Sequence, residues 1–379
     1  MSESPSSLFA QLARGNHEQV HFCRDAESGL RAIVAVHSTA LGPALGGCRM
    51  FPYQSEEQAL NDVLRLSQGM TLKAAISGLN LGGGKAVIIG DPKRHKSAAL
   101  WRAFGRFVDG LGGRYITAED VGTSLQDMAS VRGETRHVVG VPLEMGGSGD
   151  PSPVTALGVF SGMRAALQHA FGNDSFAGRR VAVQGCGHVG APLIRLLVEA
   201  GASVSACDLD QEAVAALVAE LGIQQVDSAD IYQQPCDVFA PCAMGAALNP
   251  VTIPQLQCRV VAGAANNQLA DEDADGDRLA QRGILFAPDY AINAGGLINV
   301  FQELGGYNAE RALAQTRQIF DVTRQILRYA DEHRLLPAAA SRAMAEQRVG
   351  QHSDAMAAPD EARADEMAMA SNGSLRRVG

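Results

Sequence analysis

The chain has 379 residues, enough for two domains with separate hydrophobic cores. Its formal charge of −9 leaves no basic surplus to neutralise phosphates, which argues against a nucleic-acid partner. No apolar run approaches the roughly 20 residues that a bilayer span requires, so no membrane partner is expected.

The N-terminal stretch MSESPSSLFAQLARG lacks a basic leader followed by an apolar segment, so no secretion signal is read there. QVHFCRD and RAIVAVHST are short β-branched runs that predict an antiparallel pair. Ser55-Glu56-Glu57-Gln58 has capping-box spacing and opens a helix expected to run to about Met70, with Lys73 just past its end. GLNLGGGKAVIIG follows, in which Lys85 comes after three glycines and opens an apolar strand to Ile89. A helix is expected from about Lys96 to Leu111. A strand from Arg114 to Thr117 then leads to Ala118-Glu119-Asp120.

The stretch GGSGDPSP, residues 146–153, marks a domain boundary. A long helix from about Val154 to Phe171 follows it. VAVQG, VSACD, CDVFAP, RVVAGAA and GILFAPD then alternate with helical segments, the rhythm of a parallel sheet with crossover helices. A helix is expected from Asn293 to Leu304. Ala309 to His333 reads as one long amphipathic helix suited to returning to the first domain. The tail after about Gly350 reads as a frayed helix or an unstructured segment. The seven cysteines contain no C-x-x-C pair, so neither a disulfide framework nor a metal site is expected, and the chain reads as cytoplasmic.

Two constellations carry chemistry. VAVQGCGHVG places Gly185, Gly187 and Gly190 as G-x-G-x-x-G between a strand and a helix. The first glycine makes the tight turn, the second admits a pyrophosphate, and the third allows close helix packing. Asp208 ends the next strand, where a carboxylate can bond both ribose hydroxyls and repel a 2′-phosphate, which favours NAD over NADP. The second constellation is Lys73, Lys85 and Asp120. Lys73 can supply a fixed cation for a substrate carboxylate. Lys85, in a water-poor place and near a second cation, can serve as a base. Asp120 can carry a proton. The plainer alternatives stay open: a solvated helix end for Lys73, a snorkelling surface side chain for Lys85, and a helix N-cap for Asp120.

GPALGGCRM, GMTLKAAISGLNLGGGKAVIIGDP, RYITAEDVGTS, SGDPSPVTALGV, VAVQGCGHVG, APCAMGAALN, AGAANNQL and APDYAINAGGLINV occur in that order. Together they resemble the leucine, phenylalanine and valine dehydrogenases of the wider glutamate dehydrogenase superfamily, with the leucine enzymes nearest. The resemblance runs from about Glu18 to Gln347. It implies an N-terminal α/β substrate and oligomerisation domain over residues 1–150, with 335–379 returning to it. It also implies a Rossmann-type NAD-binding domain over 151–334, with a cleft between the two. The implied reaction is NAD-dependent oxidative deamination of an L-amino acid to a 2-oxo acid and ammonium, by a homo-oligomer, octamer or dimer.

By resemblance, Lys73 holds the substrate carboxylate, Lys85 activates water, and Asp120 transfers a proton at nitrogen. Asn267 helps fix the carboxylate and the nicotinamide ribose, and Thr155 contacts the nicotinamide amide. His188 and Val189 in the glycine turn, with Cys242 and Ala243, fall on the coenzyme. Gly46 and Gly47 line the cleft. Two departures from the relatives are His188 in place of asparagine and Cys48 in place of threonine.

The implied side-chain pocket is Leu45, Met70, Ala118, Val139, Leu297 and Val300. Leu45 replaces the lysine of glutamate-specific relatives, so a side-chain carboxylate would be buried unpaired. Ala118 resembles branched-chain enzymes, Leu297 resembles aromatic-selective ones, and Val139 departs from the leucine enzymes' threonine. Leucine, valine and isoleucine are the expected substrates. Phenylalanine is the alternative, and a non-catalytic NAD or amino-acid sensor is a more distant one.

Overall fold

A computed structural model describes residues 8–243 and 245–357. The tail beyond residue 357 lies outside the described residues. Two sheets organise the chain. The first contains β1 (Gln19–Asp25), β2 (Leu30–Ser38), β3 (Ala44–Phe51), β4 (Gly82–Ile89) and β5 (Tyr115–Glu119), in the order β1-β2-β4-β3-β5. β1 and β2 pair antiparallel, as the two β-branched runs predict, and β2 also runs antiparallel to β4. β3 runs parallel to both β4 and β5, which puts the ends of β3 and β5 on one edge. Around this sheet lie α1 (Leu8–Gly15), α2 (Glu56–Ile76), α3 (Ala98–Gly110) and α4 (Leu125–Arg132).

The second sheet begins after α5 (Ser152–Phe171). Its strands are β6 (Arg180–Gln184), β7 (Ser203–Cys207), β8 (Gln224–Gln225), β9 (Val238–Pro241), β10 (Val260–Val261) and β11 (Leu285–Phe286). Their order is β11-β10-β9-β6-β7-β8, and every pairing is parallel. This is a doubly wound sheet whose order reverses between β6 and β9, where such folds open a ligand crevice. The crossover helices are α6 (Gly190–Glu199), α7 (Gln211–Leu221) and α8 (Glu272–Gln281). Beyond the sheet come α9 (Asp289–Ile292), α10 (Gly295–Phe301), α11 (Ala309–Arg317), α12 (Ile319–His333) and α13 (Pro337–Ala357).

Three sequence expectations require correction. α2 continues past Met70 to Ile76, because residues 71–76 still bury Thr71, Ala74, Ala75 and Ile76, so Lys73 lies within the last turns of the helix. The segment 309–333 is two helices that meet at Gln318 rather than one. α12 packs on the second layer, where Ile319 Cδ1 stands 2.8 Å from where a Gly158 Cβ would be. Ile326 and Ala330 of α12 also share a cluster with Leu41, Ala75 and Ile76 of the first layer, and α13 returns there as well, its Arg348 donating to the carbonyls of Ala75 and Leu79 at 2.9 and 3.0 Å. Finally, residues 293–304 split into α10 and a short 3-10 turn.

The main core crosses from one sheet to the other. Leu45, Leu81, Ala118 and Val139 from the first layer share a cluster with Val159, Val183, Leu297 and Val300 from the second. An apolar continuum of this kind loses contact area when the layers separate.

Candidate active site

α2 begins at a Ser55 cap, whose Oγ accepts the Gln58 N–H at 3.0 Å. It lies flat on β4 because Gly83 has no side chain: a Cβ there would collide with the Thr71 hydroxyl and amide. The glycines before Lys85 therefore admit a helix backbone. The same close approach brings Lys73 over the strand that carries Lys85. Lys73 is partly exposed, and its Nζ donates to Asn266 Oδ1 at 3.4 Å. Burial lowers its pKa from the ordinary lysine value to about 8; Asp289 and Asp120 oppose this and Lys85 reinforces it.

Lys85 is only 5% exposed, which removes the surface-lysine alternative. Its Nζ lies 3.1 Å from Asp120 Oδ2. Asp120 follows β5 directly and does not cap the next helix; Ser124 caps α4. Its own N–H donates to Thr123 Oγ1 at 2.8 Å, and the Thr123 hydroxyl donates to the Cys48 carbonyl at 3.0 Å. Burial raises the Asp120 pKa, but Lys85 and Arg49 outweigh it and hold the carboxyl below the ordinary aspartate value. Gly46 and Gly47 are bare for two different reasons. A Cβ at Gly46 would strike the Gly84 carbonyl, and one at Gly47 would stand 2.8 Å from Asp120 Cβ.

The apolar residues converge beside these charges. Leu45, Ala118, Val139, Leu297 and Val300 are buried in one cluster, and Met70 packs against it. Val300 Cγ1 and Ala118 Cβ lie 3.7 and 4.0 Å from where a Gly140 Cβ would stand, so the two sheets meet at this glycine. Glu303 Oε1 accepts the N–H groups of Gly140 and Ser148 at 2.9 and 2.8 Å, which straps the connection between the layers to the end of α10.

The coenzyme crevice is built at the reversal point of the second sheet. Gly185 has φ +106°, in the region that favours glycine, and its N–H donates to the Cys207 carbonyl at 2.8 Å. A Cβ on Gly185 would stand 2.8 Å from the Ala243 nitrogen and 2.9 Å from the Cys242 carbonyl carbon, which brings those two residues to the turn. A Cβ on Gly190 would collide with the Gly185 carbonyl, so the helix sits tightly on the strand. Gly187 differs: nothing lies within 4 Å of its missing Cβ, and the turn is open where a pyrophosphate requires backbone approach. Asp208 is held from both sides, with Oδ2 accepting the Cys186 N–H at 2.6 Å and Oδ1 the Asp210 N–H at 2.9 Å. His188 is exposed and Val189 half-buried, and His188 acts electrostatically on Glu119 at the end of β5. Thr155 lies at the start of α5, its Oγ1 2.9 Å from where a Gly296 Cβ would be. These features fit a dinucleotide laid across the turn.

Residues 17–137 match the model of the Glu/Leu/Phe/Val dehydrogenase dimerisation domain. Residues 146–223 and 208–355 match that of Glutamate/Leucine/Phenylalanine/Valine dehydrogenase. The leucine dehydrogenase of Geobacillus stearothermophilus is 54% identical over 342 residues, covering 90% of this chain and 93% of that protein.

The chain belongs to the Glu/Leu/Phe/Val dehydrogenase family.

It is an amino-acid dehydrogenase, an oxidoreductase of mixed α/β architecture with a Rossmann-type second layer. The valine dehydrogenase of Streptomyces virginiae is 50% identical over 339 residues, covering 89% of this chain and 94% of that one. Among solved structures, the L-tryptophan dehydrogenase of Nostoc punctiforme superposes with a TM-score of 0.81 at 43% identity, covering 91% of this chain and 99% of that one.

Within this dehydrogenase the structure adds residues that sequence reasoning passed over. Asn266, next to Asn267, is the side chain that meets Lys73. Its Oδ1 also accepts from Asn293 Nδ2 at 2.8 Å. Asn267 holds a left-handed backbone, φ +52°, and its carbonyl accepts the Ala246 N–H at 2.7 Å; among the described residues its side chain has no hydrogen-bond partner. Asp289 is buried beneath this turn and accepts the N–H groups of Gln268 and Tyr290 at 3.0 and 2.7 Å. Arg49 bridges Asp120 Oδ2 and Asp62 Oδ2 at 2.9 and 3.0 Å. Arg49 and Asp289 both lie inside the family motifs GGCRM and APDYAINAGG, so the signal was present. Their spacing alone did not say which charge each would meet. No helix of the described residues is long and apolar enough to cross a membrane.

Proposed function

We propose that the chain carries out NAD-dependent oxidative deamination of branched-chain L-amino acids, with leucine, valine and isoleucine preferred. The single observation that carries this reading is the Lys85–Asp120 pair at 3.1 Å, set beside Lys73 and closed by an apolar wall.

Lys73, as the ammonium, holds the substrate carboxylate, and Asn266 orients Lys73. Asp120 takes a proton from the substrate ammonium and leaves a free amine. NAD, when bound, supplies the two-electron acceptor; the turn at Gly185, Gly187, His188, Val189 and Gly190, with Asp208, Thr155, Cys242, Ala243 and Asn267, would hold it. Oxidation at the α-carbon leaves an iminium. Lys85, as the amine, removes a proton from the water that adds to the iminium carbon, returns it to the nitrogen, and then takes the hydroxyl proton as the carbon–nitrogen bond breaks, the carbonyl forms and ammonia leaves. Gly46 and Gly47 let backbone line the site at the reacting centre.

Leu45, Met70, Ala118, Val139, Leu297 and Val300 enclose the substrate side chain. Leu45 is 2% exposed within an apolar cluster, so an acidic side chain placed against it would lose its solvation. Ala118 supports a branched-chain substrate. Leu297 favours a second reading, in which phenylalanine is a co-substrate, because a methylene misfit shifts selectivity by only about 1–3 kcal/mol.

We place the substrate layer at residues 1–150 with α13, and the coenzyme layer at 151–334. The dimerisation-domain match supports a homo-oligomer built through the first layer. Seven free thiols support a reducing, cytoplasmic setting.

The test is NADH formation against a panel of L-amino acids, with 2-oxo acids plus ammonium in reverse and light scattering to count subunits. Leucine, valine and isoleucine are expected to lead. Turnover confined to phenylalanine would transfer the assignment to the aromatic reading. Binding without turnover would make the chain a sensor.

A further inference from the structure

Asp120 is held by two cations, not one. Its Oδ2 receives Lys85 Nζ at 3.1 Å and Arg49 Nε at 2.9 Å. Among the described residues no donor reaches Oδ1. Arg49 is itself fixed. Its second nitrogen reaches Asp62 Oδ2 at 3.0 Å, and that same oxygen accepts the Tyr53 hydroxyl at 2.7 Å. Arg65 holds the other Asp62 oxygen at 2.9 Å. One planar guanidinium therefore ties β3 to Asp120, and also to α2, the helix that carries Lys73.

We propose that Arg49 is a positioning residue for the deamination step, pinning one oxygen of Asp120 so that the other is left to exchange the substrate proton. This rests on the dehydrogenase reading above. Lys85 cannot do the same work alone. It must bind and release protons during water addition, and its hold on Oδ2 changes each time. Arg49 keeps its charge throughout. The anchor therefore stays constant while the neighbouring base cycles.

The charged and titratable groups around Asp120 come from every packed element: Lys85 on β4, Arg49 and Cys48 on β3, Glu119 and Tyr115 on β5, Lys73 on α2, and Tyr53 after β3. Lys85 and Arg49 both favour the carboxylate. Removing Arg49 moves Asp120 ionisation to higher pH, and the acid limb of turnover moves with it.

The experiment compares R49Q and R49K with the unaltered chain. It measures kcat and KM against pH for the preferred amino acid, with melting temperature and NADH binding showing that each variant is folded. R49Q should lose about tenfold or more in kcat at neutral pH, with KM little changed and the acid limb raised by about one pH unit. R49K keeps the charge but cannot span both carboxylates, so it should recover part of both, and millimolar guanidinium should partly restore an R49A variant. A folded R49Q with an unshifted acid limb overturns the proposal. Turnover by the unaltered chain is measured first and tests the functional reading separately. Independently of turnover, the Asp120 carboxyl is titrated by carbon NMR in the full chain, with D120N for assignment. A higher midpoint in R49Q supports the proposal and an unchanged one overturns it.

Discussion

Lys85 Nζ and Asp120 Oδ2 lie 3.1 Å apart although Lys85 is on β4 and Asp120 directly follows β5, two strands that β3 separates. β3 runs between β4 and β5, and its Gly46 and Gly47 carry no side chain where the Gly84 carbonyl and the Asp120 Cβ come close. A Cβ at Gly47 would press on Asp120 and one at Gly46 on the backbone just before Lys85, so a side chain at either position would displace a segment that carries the pair.

Replacing Lys85 by alanine should abolish turnover while coenzyme binding persists, since the crevice at Gly185–Gly190 is built from the other sheet. Asp120 keeps Arg49 as a partner, so the variant should fold. NADH fluorescence titration alongside the activity assay checks this, and near-normal turnover would remove the lysine from the mechanism.

Leu45→Lys should raise activity on acidic and polar amino acids relative to leucine. The position is buried within the apolar cluster, so the new ammonium seeks a carboxylate, and stability should fall by a few kcal/mol in its absence. Ratios of kcat/KM across a substrate panel decide it; an unchanged ratio would take Leu45 out of the pocket.

Binding of a carboxylate should take up protons at alkaline pH. The Lys73 pKa in the free protein is lowered to about 8, chiefly by burial, so at pH 9 most of the population is neutral. Holding a carboxylate requires the cation and raises that pKa. Calorimetry of 4-methylpentanoate binding in buffers of differing ionisation enthalpy should show uptake approaching one proton at pH 9 and almost none at pH 6.5. Equal uptake at both would remove Lys73 from carboxylate binding.

Asp208→Asn should weaken the preference for NAD over NADP. The carboxylate is fixed by the Cys186 and Asp210 amides, so the variant keeps the geometry and loses the charge that repels a 2′-phosphate. The kcat/KM ratio for the two coenzymes measures it, and an unaltered ratio would sink the assignment.

Gly190→Ala should raise the KM for NAD about tenfold or more, because a methyl group there meets the Gly185 carbonyl and pushes α6 off the turn that receives the phosphates. Amino-acid KM should change far less. Equal effects on both would mean that the damage is general.

Several features are legible in the linear chain because they are local. The G-x-G-x-x-G turn is one: its three glycines fall within six residues, and Gly190 answers the carbonyl of Gly185 itself. The β1–β2 hairpin, the Ser55 cap and the alternation of strand and helix after residue 151 are others, since periodicity and capping act over one or two turns. The motif series from GPALGGCRM to APDYAINAGG is equally local and was enough to point to the dehydrogenase family. Tertiary structure decided which charges meet. Nothing in the spacing of Arg49, Asp62 and Asp120 couples them, and only the parallel pairing of β3 with β5 and the lie of α2 across Gly83 close that network. The same holds for Lys73, whose helix runs further than its capping signals indicated because its last turns bury apolar surface against the first layer. It holds too for Asn266 rather than Asn267 at Lys73, since two neighbouring asparagines in one motif do not say which of them the lysine meets. Electrostatic partners separated by dozens of residues are fixed by packing, and packing is a property of the folded chain as a whole.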